Sequence, residues 1–216
     1  MNNIGTQLSF NFLEQPVLAS HLQVEELDIP DAEVIFYHSY FSKEESDRIF
    51  QHLLAEVSWK QDKIKCYGKE VDLPRLTAWY GDIGKCYTYS NIVMNPLQWT
   101  PTLLSIKSRV EEVDKVSFNS VLLNLYRDGR DSISWHSDDE PELGKYPNIY
   151  SVSFGGERKF QFRHKFKKTL KKVELNLTHG SLLVMRGETQ AYWQHQIPKT
   201  SKPVIARVNL TFRVIN

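Results

Sequence analysis

Residues 207–214, RVNLTFRV, alternate without a break: Arg207, Asn209, Thr211 and Arg213 fall on one side, Val208, Leu210, Phe212 and Val214 on the other. A period of two marks a β-strand, whose successive side chains point to opposite faces. Working back along the chain, the same texture holds from Phe118 onward. Runs rich in Val, Phe, Tyr and Leu at 118–126, 132–136, 149–154, 159–164, 181–186, 191–197 and 204–214 are broken by Asp-Gly, Gly-Gly, His-Gly and Arg-Gly turns. So many short strands in about 100 residues, with no alternating helices, predict an antiparallel sandwich, jelly roll or small barrel rather than an α/β sheet.

Ahead of Phe118 the period changes. Ser42 and Glu45 form a capping box, and Ile49, Leu53, Leu54 and Val57 recur at helical spacing, which predicts a helix over 43–57. Thr100-Pro101 opens a second helix, running through about residue 114, with Leu103, Ile106, Val110 and Val113 on one stripe. Residues 1–33, with Pro16, Pro30 and the acidic cluster Glu25, Glu26, Asp28, Asp31 and Glu33, read as a loosely packed arm. A single domain over 34–216 is the expectation.

A chain of 216 residues can bury roughly 70% of its unfolded surface, so neither a disulfide nor a structural metal is required to hold a core. Any metal is then functional. Cys66 and Cys86 form no disulfide framework and no paired zinc motif, which favours a reducing compartment. The N-terminus lacks a basic segment followed by an apolar core, and no bilayer-length apolar run occurs, so an intracellular, soluble protein is expected. Lys+Arg 27 against Asp+Glu 26 leaves a net charge of +1, so any nucleic-acid contact must come from local patches.

In WHSDD, strand alternation would send His136 and Asp138 the same way and Trp135 the other. His195, in AYWQHQI, can supply a third ligand from another strand. Two imidazoles and a carboxylate form the facial triad that leaves open positions on Fe(II) for a cosubstrate and dioxygen. His21, His38, His52, His164 and His179 read as surface or structural residues. On the last strand Arg207 and Arg213, about 20 Å apart along the backbone, could reach toward a small dicarboxylate between them; an exposed polar face on an edge strand is the plainer alternative. Asn124 and Tyr126 share a face opposite Leu123 and Leu125, and the Asp128-Gly129 turn leads back to the strand of His136.

The set NLYRDG, HSD, SVSFGGERKFQFRHK, HGSLLVMRG, WQH and RVNLTFR resembles the AlkB family of Fe(II)- and 2-oxoglutarate-dependent dioxygenases, and most of all its animal members that repair alkylated duplex DNA. The resemblance runs from about Ile64 to Ile215. It implies a double-stranded β-helix, a jelly roll at 118–216, preceded by a helical and lid extension at 34–117 that recognises the nucleotide. It further implies that His136, Asp138 and His195 ligate iron, with dioxygen binding beside the 2-oxoglutarate. Asn124, Tyr126, Arg207, Asn209, Thr211 and Arg213 would surround 2-oxoglutarate, with Arg207 on its distal carboxylate and Arg213 near the metal-bound end and Asp138. The implied reaction hydroxylates an N-methyl group, and formaldehyde leaves to give the repaired base.

A stacked base is out of reach of a buried iron, so it must be extruded or met in a single strand. By resemblance, IKCYGKEVDLPR is a wedge hairpin with Tyr67 as the inserted finger beside Gly68 and Lys69. Tyr89 would stack on the extruded base opposite His136, Tyr87 would offer a hydroxyl, and Asp139 and Glu140 would meet the exocyclic amine or cationic edge of 1-methyladenine or 3-methylcytosine. A packed loop tyrosine and two solvated carboxylates are the plainer readings. RHKFKKTLKK, 163–172, should project its charge from a long hairpin toward phosphates. The implied partner is alkylated DNA, duplex or single-stranded, met by a monomer with no membrane contact, cytoplasmic in a bacterium and nuclear in a eukaryote. Competing readings are the same chemistry on RNA or tRNA, a metal-binding jelly-roll module without turnover, and a zinc hydrolase, which would lack HExxH and have no use for the paired arginines.

Overall fold

The computed structural model describes residues 23–216 apart from 67, 85, 86, 90, 91 and 95; at 65, 66, 87–89 and 92–94 it describes the backbone alone. Tyr67 and the side chains of Cys66, Cys86, Tyr87 and Tyr89 therefore lie outside the described residues. The chain opens with β1 (Val24–Glu26), β2 (Glu33–Tyr37) and α1 (Lys43–Glu56). There follow β3 (Lys63–Cys66), β4 (Lys69–Asp72), β5 (Leu76–Gly81), β6 (Tyr87–Tyr89), β7 (Ile92–Met94) and α2 (Pro101–Glu111). The remaining elements are β8 (Ser120–Tyr126), β9 (Ile133–His136), β10 (Ile149–Gly155), β11 (Arg158–His164), β12 (Val173–Leu177), β13 (Ser181–Arg186), α3 (Thr189–Tyr192), β14 (Trp193–Ile197) and β15 (Arg207–Arg213).

Helices α1 and α2 start where their caps predict. The Ser42 side chain accepts the Glu45 N–H, and the Thr100 side chain accepts the Leu103 N–H with Pro101 in the first turn. The strands form a seven-stranded sheet, β1-β2-β13-β10-β15-β8-β5, and a four-stranded sheet, β12-β11-β14-β9, with antiparallel pairing throughout. This is the expected jelly roll. The alternation of β15 finds its physical cause here. Val208, Leu210 and Phe212 pack outward against Leu53, Leu103, Ile106 and Val110 of the helices. Arg207, Asn209, Thr211 and Arg213 face into the space between the sheets and are all buried. A second apolar core, including Phe160, Phe162, Leu183, Trp193 and Ile197, fills the rest of that space.

Three expectations need correction. Part of the stretch read as a loose arm is ordered: β1 pairs with β2 at the sheet edge, and Pro30 O accepts the Trp193 indole N–H at 2.9 Å. β15 lies between β10 and β8, so the edge-strand alternative for its arginines fails. β9 ends at His136, so Asp138 is brought to the site by a bend after the strand rather than by strand alternation. That bend is held by the Ser137 hydroxyl, which donates to Trp193 O at 2.9 Å, and by the Asp138 N–H, which donates to Gln190 Oε1 at 2.9 Å. The Gly-Gly turn also has a steric reason. Gly155 sits at φ +91°, where a Cβ would come within 2.3 Å of Ala206 O.

Candidate active site

Pairing of β14 with β9 sets His195 directly opposite His136, and their rings meet edge to face with centroids 4.2 Å apart. With Asp138 these residues offer three ligand atoms, all within 4.8 Å of one another. His136 donates Nδ1–H to Ser134 O at 2.8 Å, which leaves Nε2 as the free lone pair. His195 Nε2 lies 3.5 Å from Asp138 Oδ2. Burial, reinforced by the neighbouring His136 ring, pulls the His195 imidazole down to about 3, so it stands neutral and ready to ligate. Burial pushes the Asp138 carboxyl up, but Arg213, His195 and His136 outweigh it and hold the carboxyl below its ordinary value. Arg213 donates Nη2–H to Asp138 Oδ1.

The same cavity is lined by Asn124 and Tyr126 from β8 and by Arg207, Asn209, Thr211 and Arg213 from β15. Arg207 Nη2 donates to Ser153 Oγ at 2.9 Å, and Asn209 Nδ2 donates to Ser151 Oγ at 2.7 Å. Thr211 Oγ1 donates to Asn209 Oδ1 at 3.2 Å. Burial pulls the Arg207 guanidinium down to about 10, and it remains a cation at neutral pH. Its Nε and Nη1 have no hydrogen-bond partner among the described residues. A fully buried cation with two unanswered donors fits an anionic, bidentate partner such as a carboxylate, which is what 2-oxoglutarate offers.

Several participants were not predicted. Arg75, buried ahead of β5, donates Nε–H to Asn124 Oδ1 at 2.7 Å. Arg158 on β11 donates to the carbonyls of Asp128, Asp131 and Pro198, and its guanidinium lies 5.6 Å from the Tyr126 ring centroid, with that of Arg207 at 5.2 Å. Ser151 and Ser153 share a face of SVSF at a period of two, a signal legible in the sequence. Nothing local announces Arg75, Arg158 or Gln190.

On the substrate side the structure brings together less. Gly68 makes the β3–β4 turn at φ +77°, and Lys69 is exposed beside it. Asp139 is exposed but paired, its Oδ2 accepting from Lys165 Nζ at 2.9 Å, rather than a free carboxylate. Glu140 is half-buried and precedes the short 3₁₀ turn Pro141–Leu143.

Residues 33–213 match the family described as the 2OG-Fe(II) oxygenase superfamily. The chain belongs to that family. Membership implies Fe(II), 2-oxoglutarate and dioxygen, to which the donor set and the Arg207 pocket correspond. This oxygenase is 44% identical over 190 residues to human "Alpha-ketoglutarate-dependent dioxygenase alkB homolog 3", covering 84% of this chain and 66% of that protein. It is 41% identical over 204 residues to human "DNA oxidative demethylase ALKBH2", covering 90% and 76% respectively. Across the mouse, bovine, rat and human homolog 3 proteins the oxygenase spans 62–66% of their length, just under two thirds. A solved structure entitled "The structure of OsALKBH1" superposes with a TM-score of 0.64 at 15% identity over 89% of this chain and 100% of that one, a likeness of fold. Among its described residues no helix is long and apolar enough to cross a membrane.

Proposed function

We propose that this chain is an Fe(II)- and 2-oxoglutarate-dependent dioxygenase that demethylates N-alkylated bases such as 1-methyladenine and 3-methylcytosine in DNA. The observation that carries it is the junction of His136, Asp138 and His195 with a buried, incompletely satisfied Arg207 in one cavity. The DNA oxidative demethylase activity for which the ALKBH2 relatives are named supports DNA as the polymer. When bound, iron and 2-oxoglutarate would activate dioxygen, the oxidant that would hydroxylate an N-methyl group while 2-oxoglutarate is converted to succinate and carbon dioxide; the methyl carbon would then leave as formaldehyde.

In this reading His136, Asp138 and His195 would ligate the metal. Arg213 keeps Asp138 ionised and fixes its orientation through Oδ1. Arg207 takes the distal carboxylate of 2-oxoglutarate, with Asn124, Tyr126, Asn209 and Thr211 shaping the remaining walls. His136, only partly buried, lies at the open rim, where an extruded base would approach. Tyr67, Gly68 and Lys69 of the hairpin, with Tyr87, Tyr89, Asp139 and Glu140, would receive that base.

Anaerobic reconstitution with Fe(II), followed by product analysis on matched methylated DNA and RNA oligonucleotides, tests this reading. Succinate and formaldehyde released in equal amounts on DNA are the expected result. Succinate with no formaldehyde on any oligonucleotide, or turnover on RNA alone, overturns it.

A further inference from the structure

The geometry points to Phe166 as a base-stacking contact for the DNA strand, carried on the lysine-rich hairpin between β11 and β12 beside the mouth of the metal site. This rests on the reading of the chain as a DNA enzyme and adds a further aromatic contact, on a different hairpin from those of Tyr67 and Tyr89. Phe166 is 68% exposed. A single exposed apolar side chain ordinarily needs no explanation. Three features set this one apart.

The first is that its backbone is pinned. The N–H groups of Phe166 and Lys167 both donate to His164 Nδ1, at 3.1 and 2.9 Å, which puts the proton of this buried imidazole on Nε2. That Nε2–H donates to Asp31 Oδ2 at 3.0 Å, and the same oxygen accepts from Lys167 Nζ at 2.6 Å. The Phe166 ring meets those of His164 and Tyr192 edge to face, each with centroids 6.1 Å away. An aromatic ring held outward on an ordered backbone has little further ordering entropy to lose on binding.

The second is location. Lys165, next to Phe166, donates Nζ–H to Asp139 Oδ2 at 2.9 Å and to Gln190 O at 2.8 Å. Asp139 directly follows Asp138, and the Gln190 side chain accepts the Asp138 N–H. The hairpin is thus tied to the loop that presents the metal-facing carboxylate. The third is charge. Lys165 and Lys167 are matched by Asp139 and Asp31, whereas Lys168, Lys171 and Lys172 are exposed and form no ion pair among the described residues. A planar apolar ring on the same hairpin as lysines without ion pairs suits a polyanion that carries planar bases.

Fluorescence anisotropy on the full chain tests this, with unmethylated single-stranded and duplex DNA oligonucleotides over a range of salt. Phe166→Ala should weaken binding about tenfold with an unchanged logarithmic salt slope, Phe166→Leu should lose as much, and Phe166→Trp should restore affinity. Lys171→Ala should instead lower the slope by about 0.7–0.9. Wild-type affinity in Phe166→Ala, or full rescue by leucine, overturns the proposal, because stacking needs a planar face. A chain that binds in this Phe166-dependent way yet releases no formaldehyde overturns only the demethylase reading. One that demethylates while Phe166→Ala binds DNA normally overturns only the stacking contact.

Discussion

Arg213 donates to Oδ1 of Asp138, while Oδ2 of the same carboxylate faces His195 Nε2 at 3.5 Å. The two oxygens are thereby divided between a fixed counter-charge and the ligand cluster. Removing the guanidinium leaves a buried carboxylate without its main compensating charge. Arg213→Met should destabilise the metal-free chain by about 3–5 kcal/mol, read from urea denaturation. A loss below 1 kcal/mol would mean that this pair does not carry the burial of Asp138.

His136 presents the opposite case, since it stands at the partly exposed rim and its main bond is to a local carbonyl. His136→Ala should abolish formaldehyde release while moving Tm by only a few degrees. Undiminished turnover would remove it from the ligand set.

Arg207 is held by Ser153 but not saturated by it. Arg207→Ala should raise the 2-oxoglutarate concentration needed for half-maximal turnover on the order of a hundredfold, as expected for a buried charge-assisted pair. Lysine should rescue poorly, because it lacks the planar fork. Normal cosubstrate affinity in either variant would contradict the assignment.

Asp131 offers a pH test away from the metal site. Burial pushes its carboxyl up, but the Arg127 side chain and backbone N–H outweigh this and hold it below the usual 3.8. A depressed folded-state value contributes stability that is fully present above the unfolded carboxyl range and is lost as pH falls through the folded value. Tm should therefore decline below about pH 4, and Asp131→Asn should lower Tm at neutral pH while flattening that decline. An identical acid limb in the variant would assign the decline to other carboxylates.

Tyr67→Ala should reduce turnover on methylated duplex more than on single strands, since a wedge matters only where a stack must be opened. Equal losses on both substrates would remove the wedge role.

Local order was written plainly in the chain. Period two in RVNLTFRV told which four polar residues share a face, and the Ser42 and Thr100 caps told where the helices begin, because both signals come from steric and hydrogen-bonding rules acting over a few residues. The HSD motif named two ligand candidates but gave the wrong geometric reason for Asp138, whose position depends on Gln190 and the Trp193 carbonyl more than fifty residues away. What faces what across the two sheets was settled only by the packed molecule. His195 meets His136 through the β14–β9 register, Arg75 reaches Asn124, and Arg158 and Arg207 both lie against Tyr126. Such meetings are fixed by long-range strand pairing and by the burial of both faces of β15, and no local pattern of residues carries that information.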